Sequence, residues 1–429
     1  MVPNFNTGEK NLVIYQISKL ATSFIQDPKI DKATTIAAFI IGGMGIYYLF
    51  SRSILIDWKD VDFLHVWLSG HLWSQGISPY SPEYIERGSS LFDPFNRQAF
   101  FYPPSFWFIS RFFAQFDYQF AVELWRWTSF GLIFLSSFLL RSALHQTGIK
   151  VSFSTMVFYT GLVSMMQSMI LTFVLGQTSI LIYFAMCLVI YSVLSKNNIL
   201  LAAGLCLVLL KPTLGAGIFI GLLPFKIYRK SIIMTCLGTI LISSPALLPF
   251  GPIATIKAYL KGTSGHGDFI ANHPELTTGF RNIFFHITDI SLSSTLALLI
   301  TIFGMLITLI IIKNKGLNPT DDESSIAQIY ILILCLSIIG ALAPLHTYDF
   351  MFIAPIILLT LKSDKYIQMI VFILFLVIAR AQNISIETGI FYPPDLNLWG
   401  GSELSTISAF AMSIIAYISA KRYLKKIKV

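Results

Sequence analysis

The sequence predicts an all-α integral membrane protein, and three observations predict it. Of the 429 residues, 55% are hydrophobic and 12% charged, against about 25% charged in a typical soluble domain. Apolar runs recur at 33–56, 231–250, 291–312 and 325–345, and roughly 20 such residues carry a helix across ~30 Å of hydrocarbon. Lys and Arg gather in one alternating set of connecting segments, as they do on the cytoplasmic side of membranes.

Taken in order, residues 1–32 form a cytoplasmic N-terminal segment whose Leu12, Ile14, Tyr15, Ile17, Leu20 and Phe24 suit an interfacial helix. The run at 33–56 has no small-residue cleavage site behind it and is expected to be a retained span. Residues 33–420 are expected to form a multi-pass domain of about twelve crossings. Residues 421–429, with Lys421, Arg422, Lys425, Lys426 and Lys428, form a basic cytoplasmic tail. Both termini then lie inside, and three long segments face outward: a first loop at 57–101 and further loops at 251–290 and 381–400. Each is rich in Gly, Pro, Asn and aromatics, and loops much longer than about 12–15 residues are usually functional or disordered. The middle admits two arrangements. Either 102–116 is re-entrant and "LLKPTLG" breaks one long run into two short helices, or the first segment crosses and the second stays whole. Cys187, Cys206, Cys236 and Cys335 all lie in apolar runs, which excludes a disulfide framework in the loops and makes them packing residues.

The residues able to carry chemistry stand at the outer ends of these runs. Asp57, Asp60 and Asp62 follow the first span. On a helix lying along the membrane, Asp62, His65 and Ser69 share a face while Asp60 points almost the other way; loop carboxylates that are simply solvated are the alternative. In "FYPPSF", Pro103 and Pro104 hold Phe101 and Tyr102 out of helix, presenting an aromatic edge that suits a sugar ring or an ordinary interface belt. Gln177 falls between two apolar runs and Lys211 inside one, where a charge costs at least ~2.5–3.5 kcal/mol. Lys211 therefore needs an anionic partner such as a lipid phosphate, unless it snorkels from a helix end. His346, Tyr348 and Asp349 stand together in "PLHTYDF". His266, His273 and His286, with Arg281, lie on the second outer loop at spacings that match no compact metal-ligand pattern, so no metal and no cofactor are expected. Nucleotide-binding fingerprints are absent from the sequence.

The ordered set "DFLHVWLSGHLWSQGISPYSP", "FYPPSFWFISRFF", "LGQTSILIYF", "AAGLCLVLLKPTLG" and "HTYDFMFIAPIILL" resembles glycosyltransferase family 87, the polyprenyl-phosphate-mannose-dependent alpha-(1→2)-mannosyltransferase-like enzymes of the GT-C superfamily. The resemblance covers roughly 56–361. It implies a GT-C fold with a long first extracytoplasmic catalytic loop, in the inner membrane of a prokaryote with the active site facing outward. It implies an aspartate base, matched by Asp62 with Asp57 and Asp60 as nearby alternatives, and a later histidine, matched by His346. The family's Y-P-P, G-Q and K-P correspond to Tyr102-Pro103-Pro104, Gly176-Gln177 and Lys211-Pro212; Trp67 stands where tyrosine is common. His65, Tyr102, Gln177, Lys211, Arg281 and Tyr348 are the expected substrate-binding set.

The function so implied is transfer of a sugar, mannose first among the options, from a polyprenyl-phosphate-sugar to a glycolipid or polysaccharide, with inversion. The lipid-linked donor is a co-substrate, and membrane lipids are the other expected partners; nucleic acid is not expected. The rival reading is a lipid-linked-sugar flippase or secondary transporter. Transporters commonly show internal repeats and midplane sites, whereas here the distinctive polar residues gather at one face.

Overall fold

Lipid offers a backbone no hydrogen bonds, so a chain this apolar must satisfy its own, and every regular element among the described residues is helical. The computed structural model describes residues 32–54, 62–92, 99–267, 272–317, 319, 324–388 and 401–427. Asp57 and Asp60, the expected interfacial helix within 1–31 and most of the 381–400 loop lie outside them.

In chain order the helices are α1 (Lys32–Ile54), α2 (Phe63–Ser74), α3 (Glu83–Leu91), α4 (Trp107–Phe113), α5 (Tyr118–Gln146), α6 (Phe153–Ser164), α7 (Gln167–Val174), α8 (Ser179–Leu194), α9 (Asn198–Val208) and α10 (Pro212–Leu222). There follow α11 (Arg229–Leu247), α12 (Pro252–Gly267), α13 (Phe280–Thr288), α14 (Ser294–Asn314), α15 (Ser324–Leu342), α16 (Pro355–Leu359), α17 (Lys365–Ala379), α18 (Ala381–Thr388) and α19 (Ser402–Ile427). Among the described residues five begin at side-chain caps that also mark them in the sequence: Asp117 for α5, Ser152 for α6, Asn197 for α9, Ser293 for α14 and Asp364 for α17 each accept a first-turn backbone N–H.

Among the described residues six helices are long and apolar enough to cross a membrane, or eight if the bent pairs α6–α7 and α17–α18 each count as one span. The other apolar runs are cut by residues that end helices. Gly176, at φ 60°, turns the chain between α7 and α8. Lys211, extended ahead of Pro212, separates α9 from α10. The three helices α8, α9 and α10 are each shorter than a full span. The middle of the chain thus takes the arrangement in which "LLKPTLG" breaks a run. The seven-residue α4 is too short to cross by itself at 1.5 Å per residue.

The segments expected to face outward are more helical than loops. The first holds α2 and α3, and the second holds α12 and α13. Helix α2 packs directly on α4: a Cβ at Gly70 would meet the Ser110 carbonyl oxygen at 2.0 Å, so only glycine admits this approach. The Ser69 hydroxyl, bonded to Ser110 Oγ at 3.0 Å, seals the same contact. Of the cysteines, Cys187, Cys206 and Cys335 are buried; Cys236, expected to pack, is exposed on the flank of α11.

The connections give the bundle two chemically different ends. Asp62, the 175–178 turn, Lys211 and the 346–349 turn all lie at one end. The 195–197 turn, the 226–230 connection, Lys313 and Lys315 lie at the other, one helix length away along α8, α10 or α14.

Candidate active site

Four breaks between helices meet at the first end. The backbone N–H of Asp62, at the head of α2, donates to the Leu175 carbonyl at 2.8 Å. This fixes the α2 entry against the α7–α8 turn, and the Gln177 side-chain amide of that turn donates to the Asp62 carboxylate. Trp125 of α5 holds the turn from behind through a bond from Nε1 to the Gly176 carbonyl, 3.2 Å. Burial pushes the Asp62 carboxyl up to about 6, with the Gln177 bond and the charge of Lys211 pulling the other way. Asp62 is still a carboxylate at neutral pH, yet a stronger base than an exposed one.

Lys211 meets its anion within the chain. Its Nζ lies 2.5 Å from Asp349 Oδ1 and 3.0 Å from Ser179 Oγ, and Ser179 Oγ donates to the same carboxylate oxygen at 2.5 Å. The expected lipid phosphate is thus replaced, as the partner of Lys211, by a buried aspartate of the 346–353 3₁₀ segment, because a protein carboxylate is always present to offset the charge. The ammonium also sits 4.9 Å from the centre of the Tyr348 ring. His346 stacks on Tyr348 at 4.9 Å between centroids, and its Nε2 lies 2.9 Å from Asn272 Oδ1.

The third wall is aromatic. The Tyr102 hydroxyl is placed by Thr178 and stands near Asp62 and Asp349, while its backbone carbonyl accepts from Tyr80 at 2.7 Å. His65, one turn along α2 from Asp62, lies with Nδ1 2.6 Å from the Tyr84 hydroxyl. Burial first, then the nearby acids and hydroxyls, raise Tyr84 and Tyr102 well above ordinary phenols. They present neutral hydroxyls, able both to donate and to accept.

The structure therefore brings together Asp62, His65, Tyr102, Gln177, Lys211, His346 and Tyr348, which span about two-thirds of the chain. Arg281 stands apart. Its guanidinium donates to the carbonyls of Leu292 and Asn272, both at 2.6 Å, and to Ser294 Oγ at 3.1 Å. Through Asn272 it steadies the residue that meets His346. Asp349 was noted in the sequence only as a neighbour of His346 and Tyr348, and its pairing could have been found from the demand of Lys211 for an anion; Tyr84 and Asn272 were missed, since no spacing singles them out. Among the described residues no three His, Cys, Asp or Glu side chains gather as a metal site.

A carboxylate of raised basicity, a lysine held nearby and a wall of neutral hydroxyls can deprotonate an alcohol beside an anionic leaving group. No curated protein matches the chain. The family model of glycosyltransferase family 87 matches residues 100–316, half of the chain, and takes in Tyr102, Gln177, Lys211 and Arg281. With Tyr102, Gln177 and Lys211 of the matched stretch seated in one site on a multi-pass helical membrane protein, the chain belongs to glycosyltransferase family 87.

Proposed function

We propose that this membrane glycosyltransferase moves a sugar, mannose in the first instance, from a polyprenyl-phosphate-sugar to a hydroxyl of a glycolipid or polysaccharide. The observation that carries the reading is Asp62, half-buried and raised to about 6, within reach of the charge of Lys211. Asp62 takes the proton of the acceptor hydroxyl as that oxygen bonds to the anomeric carbon. The bond from that carbon to the phosphate oxygen breaks, its electron pair leaves with the polyprenyl phosphate, and the configuration inverts. General-base catalysis of this kind is worth roughly 10²–10⁴-fold. Lys211 offsets the charge that develops on the phosphate, with His346 and Tyr348 beside it. This route uses no metal, since Lys211 is the cation at hand.

A lipid-linked donor keeps its tail in the bilayer, which suits a site at the end of a bundle. The reading places this end on the extracytoplasmic face of a prokaryotic inner membrane, and the Lys- and Arg-rich opposite end in the cytoplasm. Counting α8, α9, α10 and the 347–362 return as passages, in addition to the six spans of full length and the two bent pairs, gives the twelve traverses we propose. Charged groups gathered at one end support transfer chemistry over a transporter with a midplane site.

The test is transfer from radiolabelled polyprenyl-phosphate-mannose in membranes carrying the wild type or Asp62→Asn. Label entering a lipid or polymer with wild type, and stopping with Asp62→Asn at equal protein levels, is the expected result. Undiminished transfer by the variant would remove Asp62 as the base. Failure of the wild type across a panel of sugar carriers would sink the donor class.

A further inference from the structure

Glu403 is a buried carboxylate that lies outside the constellation around Asp62. It stands in the first turn of α19, 5% exposed, at the end of a helix of spanning length, where an unpaired charge is costly. Its partner is His286 of α13, whose Nε2 lies 2.6 Å from Glu403 Oε1. The neutral Nε2–H tautomer and the protonated ring can both make this bond. The Asn282 amide is a second donor, 3.4 Å from the same oxygen. His273 and Glu275 nearby are a different kind of pair: 3.5 Å apart, with both side chains 44% exposed, they face solvent and contribute little.

The buried pair fastens the segment that reaches His346. Asn282 Nδ2 also donates to the Pro274 carbonyl at 3.1 Å, so one amide ties Glu403 to the head of that segment. Asn272, two residues before Pro274, meets His346 Nε2 at 2.9 Å. Thr278 gives both its N–H and its hydroxyl to the Leu345 carbonyl, at 2.7 and 2.9 Å. Gly279, at φ 86°, lies so close to the same turn that a Cβ would meet the Ala343 carbonyl oxygen at 2.1 Å. Its N–H donates to Thr406 Oγ1 of α19 at 2.9 Å. The segment 272–282 is thus held between α19 on one side and the 343–346 turn on the other.

Thr406 grips this segment at one backbone N–H, which leaves α13 to be fixed about its own axis. Asn282 and His286 do that, because they are one turn apart on the same face of α13 and both meet one carboxylate. We propose that Glu403 and His286 are positioning residues for His346: their bond locks α13 onto α19, and the locked segment holds Asn272 and Thr278 against the turn that carries His346. Their effect on sugar transfer rests on the place of His346 beside the donor phosphate in the proposed function.

The experiment is hydrogen exchange of the full chain in nanodiscs, read beside the transfer assay. Glu403→Gln keeps the volume and removes the charge. His286→Ala removes the other partner at a side chain 39% exposed, so it keeps the test open should the buried substitution fail to fold. In each variant amides of 274–282 and 344–350 are expected to exchange about tenfold faster. Transfer per folded protein is expected to fall about tenfold, the ratio for one charge-assisted hydrogen bond. His286→Gln, whose amide can still donate, is expected to restore most of both. Adding Glu403→Gln to His346→Ala is expected to cost no further rate, which a merely structural role would not produce. Unchanged exchange at 344–350 in both variants, or losses that multiply with His346→Ala, overturns the proposal. Faster exchange there in the variants, with no transfer by wild type from any sugar carrier, would sink the donor class and leave the positioning of His346 standing.

Discussion

Lys211 and Asp349, 138 residues apart, meet at 2.5 Å in the half-buried heart of the site. Neither charge is tolerable there alone: removing one partner of a buried pair typically costs about 3–5 kcal/mol, whereas replacing both with apolar groups is often neutral. Lys211→Met and Asp349→Leu are therefore each expected to lower thermal stability strongly. The double variant is expected to regain most of it, with transfer abolished in all three. Melting in detergent alongside the transfer assay separates the two roles. A double variant no more stable than the singles would show that the pair is not coupled.

The raised carboxyl of Asp62 predicts an acid limb. Transfer needs the ionised form, so activity is present above pH about 6 and falls as pH drops through it. Gln177→Leu removes the hydrogen bond that holds this value down, and the limb is expected to move to higher pH. Stability runs the other way. A folded value of about 6 against 3.8 means that the folded chain binds the proton more tightly, so stability falls as pH rises across that interval. Asp62→Asn is expected to melt higher than wild type at pH 7 while losing roughly 10²–10⁴ in rate. A wild-type profile flat between pH 5 and 7 would exclude Asp62 as the titrating base.

His65 and the Tyr84 hydroxyl, 2.6 Å apart, form the aromatic side of the site. Tyr84→Phe removes one hydrogen bond and no volume. Transfer is expected to fall roughly tenfold, with protein level unchanged, as for a single lost buried hydrogen bond. His65→Phe is expected to give the same loss, and the double variant no further loss. Losses that multiply in the double variant would mean that the two groups act separately.

The way the site was assembled explains how much of it could be read in advance. Asp62, Gln177 and Lys211 were legible because each is a polar residue that a membrane protein has no packing reason to place at the edge of an apolar run or within one. The break at Lys211 was legible because Pro212 follows it. Asp349 was not, since an acid beside His346 and Tyr348 reads as part of a solvated loop until the pairing across 138 residues is seen. Asn272 and Tyr84 act through tertiary contacts that leave no local pattern. The lengths of the individual helices were not legible for a related reason. Hydropathy registers apolar length, whereas a positive φ at Gly176 and an extended Lys211 divide that length into pieces.

Arg281 supplies the last prediction. Its fork grips two carbonyls and a hydroxyl on 272–294, and so it acts on the site only by holding Asn272 against His346. A lysine can carry the charge but not the planar set of donors. Arg281→Lys is therefore expected to lose about 2 kcal/mol of stability, the cost of leaving buried acceptors unsatisfied. If positioning is its role, the variant should weaken transfer mainly by disturbing His346, so adding Arg281→Lys to His346→Ala should cause little further loss of rate. Were Arg281 to touch the donor phosphate itself, the losses would multiply. The rates of the double variant, at a temperature where all four proteins are folded, decide between the two.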